Sequence, residues 1–216
     1  MADIVKREIY LFPGLGADER VFRFLDLTPH NLTYVRWIDP EKNEAIEDYA
    51  RRLLTQITSN DPTLLGVSFG GIMAIEVAKL IPTRKIILIS SVRTKADIPL
   101  SFRLSSKLGL INLVPVSWLK KVSNATFWSF GLETDSEREL LTSIIHETDP
   151  KFLKWAIEKI ASWTSETLPG NVTLIQGTND RIFPNSHPDI KIENGGHFMI
   201  VNKARELSVI ILELLR

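Results

Sequence analysis

The stretch LLGVSFGGIMAIEVAKL, residues 64–80, decides the fold. TLLGV (63–67) is an apolar run of strand length, and Ile72 to Leu80 carries a helical pattern closed by Pro82. Between them a single hydroxyl, Ser68, stands among Gly66, Gly70 and Gly71. G-x-S-x-G between a strand and a helix describes a sharp corner that holds its serine in a strained backbone. Side chains two residues before and after the serine are expected to collide, which calls for glycine at 66 and 70. The hydroxyl should project from the carboxyl edge of a sheet, with the first amides of the helix aimed at the same spot. Without its flanks the same pattern would read as a glycine-rich turn with an incidental serine.

Outward from this corner, short apolar runs alternate with helical patterns. EIYLF (8–12) reads as a strand ending at PGLG, and LTYVRW (32–37) as a second, stopped by Asp39-Pro40. Ile46, Tyr49, Ala50, Leu53, Leu54 and Ile57 fall on one helix face. KIILIS (85–90), NVTLIQG (171–177) and DIKIE (189–193) read as further strands, and Ile200 to Leu215 as a long final helix. Such alternation predicts an α/β fold with a mostly parallel sheet, flanked by helices that supply right-handed crossovers. In these sheets ligands bind at the carboxyl ends of the strands.

Residues 93–166 break the alternation and carry only helix signals. Thr134-x-x-Glu137 is a capping box before ELLTSII, and Asp149-Pro150 opens KFLKWAIEKIASW. Four of the five tryptophans fall here, at 118, 128, 155 and 163. The expected organisation is a core of 1–92 and 167–216 with a helical cap, 93–166, inserted between the fourth and fifth strands. Phe152, Leu153, Ala156, Ile157 and Ile160 form one apolar face there, and Trp118, Phe127, Trp128 and Phe130 add aromatic surface. Arg103, Lys107, Lys120 and Lys121 read as a solvated face, or as groups that meet an acidic acyl chain.

At 216 residues and 44% hydrophobic, the chain suits one domain with a sizeable core. Its 26 basic and 26 acidic residues cancel, which leaves no overall attraction to nucleic acid or an anionic membrane; only a local patch stays open. The absence of cysteine excludes disulfides, cysteine zinc sites and a thiol nucleophile. MADIVKREIY lacks the apolar core of a signal peptide, and no apolar run reaches the roughly 18 residues of a membrane span. A cytoplasmic location is expected. There is no H-E-x-x-H and no H-x-x-x-H, and the acidic residues near 133–139 read as a solvated helix start, so neither metal nor cofactor is expected.

A serine hydroxyl needs a base. Of the four histidines, His197 follows the last strand in Glu193-Asn194-Gly195-Gly196-His197, where two glycines should let the loop approach the elbow. His30, His146 and His187 read as surface or structural. The imidazole needs an orienting acid. Asp180, just past the fifth strand, is the candidate; Asp97, after the fourth, is the runner-up. Two backbone donors complete an oxyanion hole: the N–H of Phe69, directly after the serine, and the N–H of Leu15 in the PGLG loop after the first strand. Arg181 could pair with Asp180, but adjacent side chains on a loop usually diverge.

Gly14, Ser68, Asp180 and His197 together resemble the α/β-hydrolase superfamily in residue type and chain order, over essentially the whole chain. The resemblance is to its small carboxylesterases and thioesterases. It implies an α/β-hydrolase fold and a catalytic Ser68, Asp180 and His197, with a small-molecule ester or thioester as substrate. Two departures stand out. Pro13 occupies the place where family members often carry histidine, which leaves the support of the oxyanion loop open, and the interval from Asp180 to His197 is short. A ligand-binding protein with an idle triad, an acyltransferase and a carbon–carbon hydrolase remain as alternatives. Oligomeric state is not encoded in any motif.

Overall fold

The computed structural model describes residues 5–109, 113–184 and 187–216. Strands β1 (Glu8–Phe12), β2 (Asn31–Tyr34), β3 (Thr63–Val67), β4 (Lys85–Ile89), β5 (Val172–Gly177) and β6 (Ile190–Ile192) pair in the order β2-β1-β3-β4-β5-β6. Every pairing is parallel. The chain runs outward from β1 to β2, then returns to the far side of β1 with β3. That reversal makes β1/β3 the switch point of the sheet, where a crevice opens beyond the carboxyl ends. The PGLG loop leaves β1 there, and Ser68 follows β3.

Alternation along the strands fills both faces. Tyr10, Phe12, Leu64, Ile86, Leu88 and Leu174 point to one side, and Ile9, Leu11, Leu65, Ile87, Ile89 and Ile175 to the other. The first side is covered by α1 (Ile46–Leu53) and α2 (Phe69–Ala78). The second is covered by the carboxyl-terminal helices. Every residue of α2 is buried, which fits its apolar character on all sides.

Between β4 and β5 lie α3 (Leu100–Lys107), α4 (Val116–Leu119), α5 (Asn124–Phe130), α6 (Asp135–Glu147) and α7 (Pro150–Ser162). The apolar face of α7 joins the core directly. Phe152 stacks on Trp37 at 5.6 Å, and Trp155 meets Tyr49 at 4.4 Å. Asp149 caps α7 through the amides of Lys151 and Phe152, with Pro150 in its first turn. Thr134 caps α6, but Glu137 reaches back to the N–H of Glu133, not to that of Thr134. Glu137 is buried and also receives the Asn202 amide, whereas Glu133, Asp135 and Glu139 are exposed, so the reading of a solvated acidic start holds for those three and is corrected for Glu137.

Several elements differ in extent from the sequence reading, and α1 ends at Leu53, short of Ile57. The edge strand β2 stops at Tyr34, because side chains replace the ladder beyond it. Gln56 takes both the N–H and the C=O of Arg36, and the Tyr49 hydroxyl does the same for Ile38. Helix α2 starts at Phe69 instead of Ile72. The final helix is two, α8 (Met199–Asn202) and α9 (Ala204–Leu214), with a break at Lys203.

Candidate active site

Ser68 has φ 53° and ψ −121°, a region that non-glycine residues avoid at a cost of about 1–3 kcal/mol. Its neighbours hold it there. The N–H of Ser68 donates to Ile89 of β4 at 3.0 Å, while its carbonyl accepts from Gly71 N–H at 2.9 Å and from the Ser91 hydroxyl at 2.7 Å. The two glycines of the elbow answer to different contacts. A Cβ on Gly66 would strike the backbone of Gly70 and Gly71, as the corner argument expects. A Cβ on Gly70 would instead strike the carbonyl oxygens of Phe12 and Pro13. Gly70 is therefore needed first of all for the close approach of the β1 loop.

Three loops from the sheet edge converge on this corner. His197 Nε2 lies 2.9 Å from Ser68 Oγ, and His197 Nδ1 lies 2.9 Å from Asp180 Oδ2. His197 and Asp180 are buried, and Ser68 is half-buried. With Nδ1–H donated to the carboxylate, Nε2 is left as an acceptor for the serine O–H. The carboxylate is fully engaged. Oδ2 also accepts from Gln176 Nε2 at 2.9 Å, and Oδ1 accepts from the amides of Ile182 at 2.9 Å and Phe183 at 3.0 Å. Burial by itself would raise the Asp180 pKa. The facing His197, through charge and hydrogen bond, and the two amides outweigh burial and hold the carboxyl below its usual range.

The imidazole is also confined by two rings. Phe130 meets it edge-on at 5.2 Å and Phe183 at 5.6 Å. The glycines before it admit neighbouring backbone and not the elbow, which corrects their expected role. A Cβ on Gly195 would crowd Gly177 at the end of β5, and one on Gly196 would sit 2.8 Å from Gly131 Cα. Phe198 N–H then bonds the Phe130 carbonyl at 2.9 Å, tying the histidine loop to α5.

The other sequence candidates lie elsewhere. Asp97 accepts from the amides of Arg93 and Thr94 and closes a local capping box. Arg181 turns away from Asp180 and donates to the Trp128 carbonyl, with its guanidinium 4.2 Å from the indole centroid. His30 Nδ1 accepts from Arg7 N–H, and the His146 carbonyl accepts from Lys120. Among the described residues, no group of three or more His, Cys, Asp and Glu could hold a metal ion.

Phe69 N–H belongs to the first turn of α2 and has no helical carbonyl to bond. Leu15 N–H shares its peptide unit with the Gly14 carbonyl. That oxygen accepts from Ala17 N–H at 3.0 Å and from Trp37 Nε1 at 3.1 Å, so the trans peptide sends Leu15 N–H the opposite way. A Cβ on Gly14 would lie 3.7 Å from Ser68 Cβ, which sets this loop directly against the elbow. Sequence reasoning missed Trp37, Gln176 and Ser91. In the sequence Trp37 reads as a strand residue, and no motif marks the other two.

No protein-family profile matches the chain, and no curated protein matches it by sequence. Solved structures do match along nearly its whole length. An α/β-hydrolase fold protein from Burkholderia ambifaria is 13% identical, with 97% of this chain and 91% of that one covered at a TM-score of 0.69. A thermophilic esterase from Thermogutta terrifontis is 15% identical, with 98% and 90% covered at 0.68. The 2-hydroxy-6-oxo-6-phenylhexa-2,4-dienoate hydrolase of a Rhodococcus strain is 15% identical, with 98% and 91% covered at 0.65. Similarity at this level carries architecture and not reaction, and on that architecture this chain is an α/β-hydrolase-fold protein.

Proposed function

We propose that the protein is a serine hydrolase that cleaves a carboxylic ester or thioester through an acyl-enzyme on Ser68. One observation carries this reading: Asp180, His197 and Ser68 form an unbroken hydrogen-bonded succession with both links at 2.9 Å. Ser68 Oγ attacks the acyl carbonyl as His197 Nε2 takes its proton. Asp180 fixes the tautomer and stabilises the imidazolium. The amides of Phe69 and Leu15 hold the oxyanion, and His197 then protonates the departing alkoxide or thiolate. A water that gives its proton to His197 attacks the acyl carbonyl, and Ser68 leaves with that proton. Acid–base assistance of this kind contributes on the order of 10²–10⁴-fold. Residues 93–166 act as the cap over this site, and the protein works in the cytoplasm on a small-molecule substrate without a metal or cofactor.

The test is labelling with a fluorophosphonate, followed by turnover of p-nitrophenyl esters and acyl thioesters of graded chain length. Wild type should label and turn over, and Ser68→Ala and His197→Gln should each lose nearly all activity while remaining folded. Absence of both labelling and turnover across the panel would leave a binding protein. Product analysis distinguishes water from another acyl acceptor.

A further inference from the structure

Charge is balanced over the whole chain but not along it. Between Asp97 and Glu133 there is no acidic residue, and Arg103, Lys107, Lys120 and Lys121 all lie in that interval. Within it, α3 is built inside out. Leu100, Leu104 and Leu108 recur at every fourth position and so form one stripe along α3 and its carboxyl cap. They are 63%, 47% and 69% exposed, whereas Ser105 and Ser106 are only half-exposed. No residue of α3 is buried. Trp118 of α4 is 65% exposed, with the Lys121 ammonium 5.3 Å from its ring centroid. Helices α3 and α4 both pack against α7. Single exposed leucines need no explanation, but a row of them on a helix that also carries Arg103 and Lys107, in an interval without an acidic residue, does.

We propose that this face docks the protein on an anionic phospholipid surface. Leucine and tryptophan side chains suit the boundary between headgroups and acyl chains, and cations beside them suit anionic headgroups. The stems of Lys107 and Lys121 can lie along the apolar layer while their ammonium groups stay wet. A second copy of the chain fits the face poorly. A two-fold contact through this face would bring the cations of both copies, Arg103, Lys107 and Lys121, into one interface with no acidic residue of the interval to pair with them. No helix among the described residues is long and apolar enough to cross a membrane, so the attachment would be peripheral. This inference stands apart from the reaction assigned to Ser68.

The test is co-sedimentation of the full chain with large vesicles of phosphatidylcholine and phosphatidylglycerol at 7:3, against phosphatidylcholine alone. Wild type should bind the anionic vesicles at least about tenfold better, and raising the salt should weaken that binding. Lys107→Glu with Lys121→Glu should lower partitioning by at least about tenfold, since one cation at such a surface is worth about fivefold. Leu104→Ser with Leu108→Ser should lower it by a similar factor with an unchanged melting temperature, because both leucines are exposed in the free protein. Equal binding to the two vesicle types overturns the proposal, as does no binding to either. So does a concentration-dependent dimer that the leucine double variant dissolves, since the face would then serve a second copy. The wild-type lipid and salt comparisons decide the matter even if a variant fails to fold.

Discussion

The indole Nε1–H of Trp37 donates to the carbonyl of Gly14 at 3.1 Å, joining the segment after β2 to the loop after β1. That bond, with the one from Ala17, fixes the peptide whose other end is Leu15 N–H. Trp37 is held in turn by the rings of Phe69 and Phe152 and by Tyr49, which clamps its neighbour Ile38. Trp37→Phe keeps much of the ring contact and removes the donor. Loss of a whole oxyanion donor costs roughly 10²–10³ in kcat, so loss of its positioning bond should cost about tenfold. On the best substrate of the ester panel, kcat should fall with KM nearly unchanged and the melting temperature little altered. An equal rise in KM with constant kcat would argue against a part for Trp37 in the proposed oxyanion hole.

Asp180→Asn should cut the rate by about 10⁴, because an amide in place of the carboxylate favours the wrong imidazole tautomer. Its effect on stability depends on pH in a defined direction. The folded carboxyl is held below its ordinary range by His197 and the amides of Phe183 and Ile182, against the opposing effect of burial. A lowered pKa stabilises the fold fully above the unfolded value of about 3.9, and the contribution is lost as pH falls through the folded value. The melting-temperature advantage of wild type over Asp180→Asn should therefore be largest near neutrality and shrink below about pH 4. An advantage that widens on acidification would contradict the assigned ionisation.

Gly70→Ala should be far more disruptive than its mild chemistry suggests. The added Cβ meets the carbonyl oxygens of Phe12 and Pro13, which are backbone and cannot swing aside. Overpacking of this kind costs about 1–3 kcal/mol, and any relief must come from moving the loop that carries Leu15. Gly170→Ala adds a Cβ with nothing within 4 Å and should stay within about 0.5 kcal/mol of wild type. Denaturant unfolding of the two variants, with ester turnover, separates a local steric cost from a general dislike of alanine. Equal stability of the two would sink the close-approach argument.

Much of this site was legible because its parts lie next to strong strand signals. TLLGV and NVTLIQG are apolar on both faces and end abruptly, so Ser68 and Asp180 could be placed on one sheet edge from the sequence. His197 followed from its position before the last helix. The supporting groups were not legible, because their roles arise from pairings distant in sequence. Nothing in Arg36-Trp37-Ile38 announces that the chain leaves the sheet there; the cause is the hydroxyl of Tyr49 and the amide of Gln56. Gln176 alternates along β5 like any strand residue, yet its amide bridges Asp180 and the Phe183 carbonyl. The glycines at 195 and 196 do mark close approaches, but to Gly177 and Gly131 instead of the elbow, from segments whose proximity only the fold creates.

The strain at Ser68 can be measured apart from its chemistry. At φ 53° and ψ −121° the residue occupies a region that costs a non-glycine residue about 1–3 kcal/mol. Ser68→Ala removes the hydroxyl and keeps the penalty, whereas Ser68→Gly removes both. Glycine also carries an entropic cost of about 0.5–1 kcal/mol relative to alanine, which offsets part of the relief. Both variants should be inactive, and Ser68→Gly should unfold at higher denaturant than Ser68→Ala by an amount near 1 kcal/mol. The difference cannot come from the lost bond to His197, since neither variant has it. If alanine proves the more stable of the two, the corner costs less than glycine's own entropy, and the bonds from Ile89, Gly71 and Ser91 hold a backbone that is at rest and not under strain.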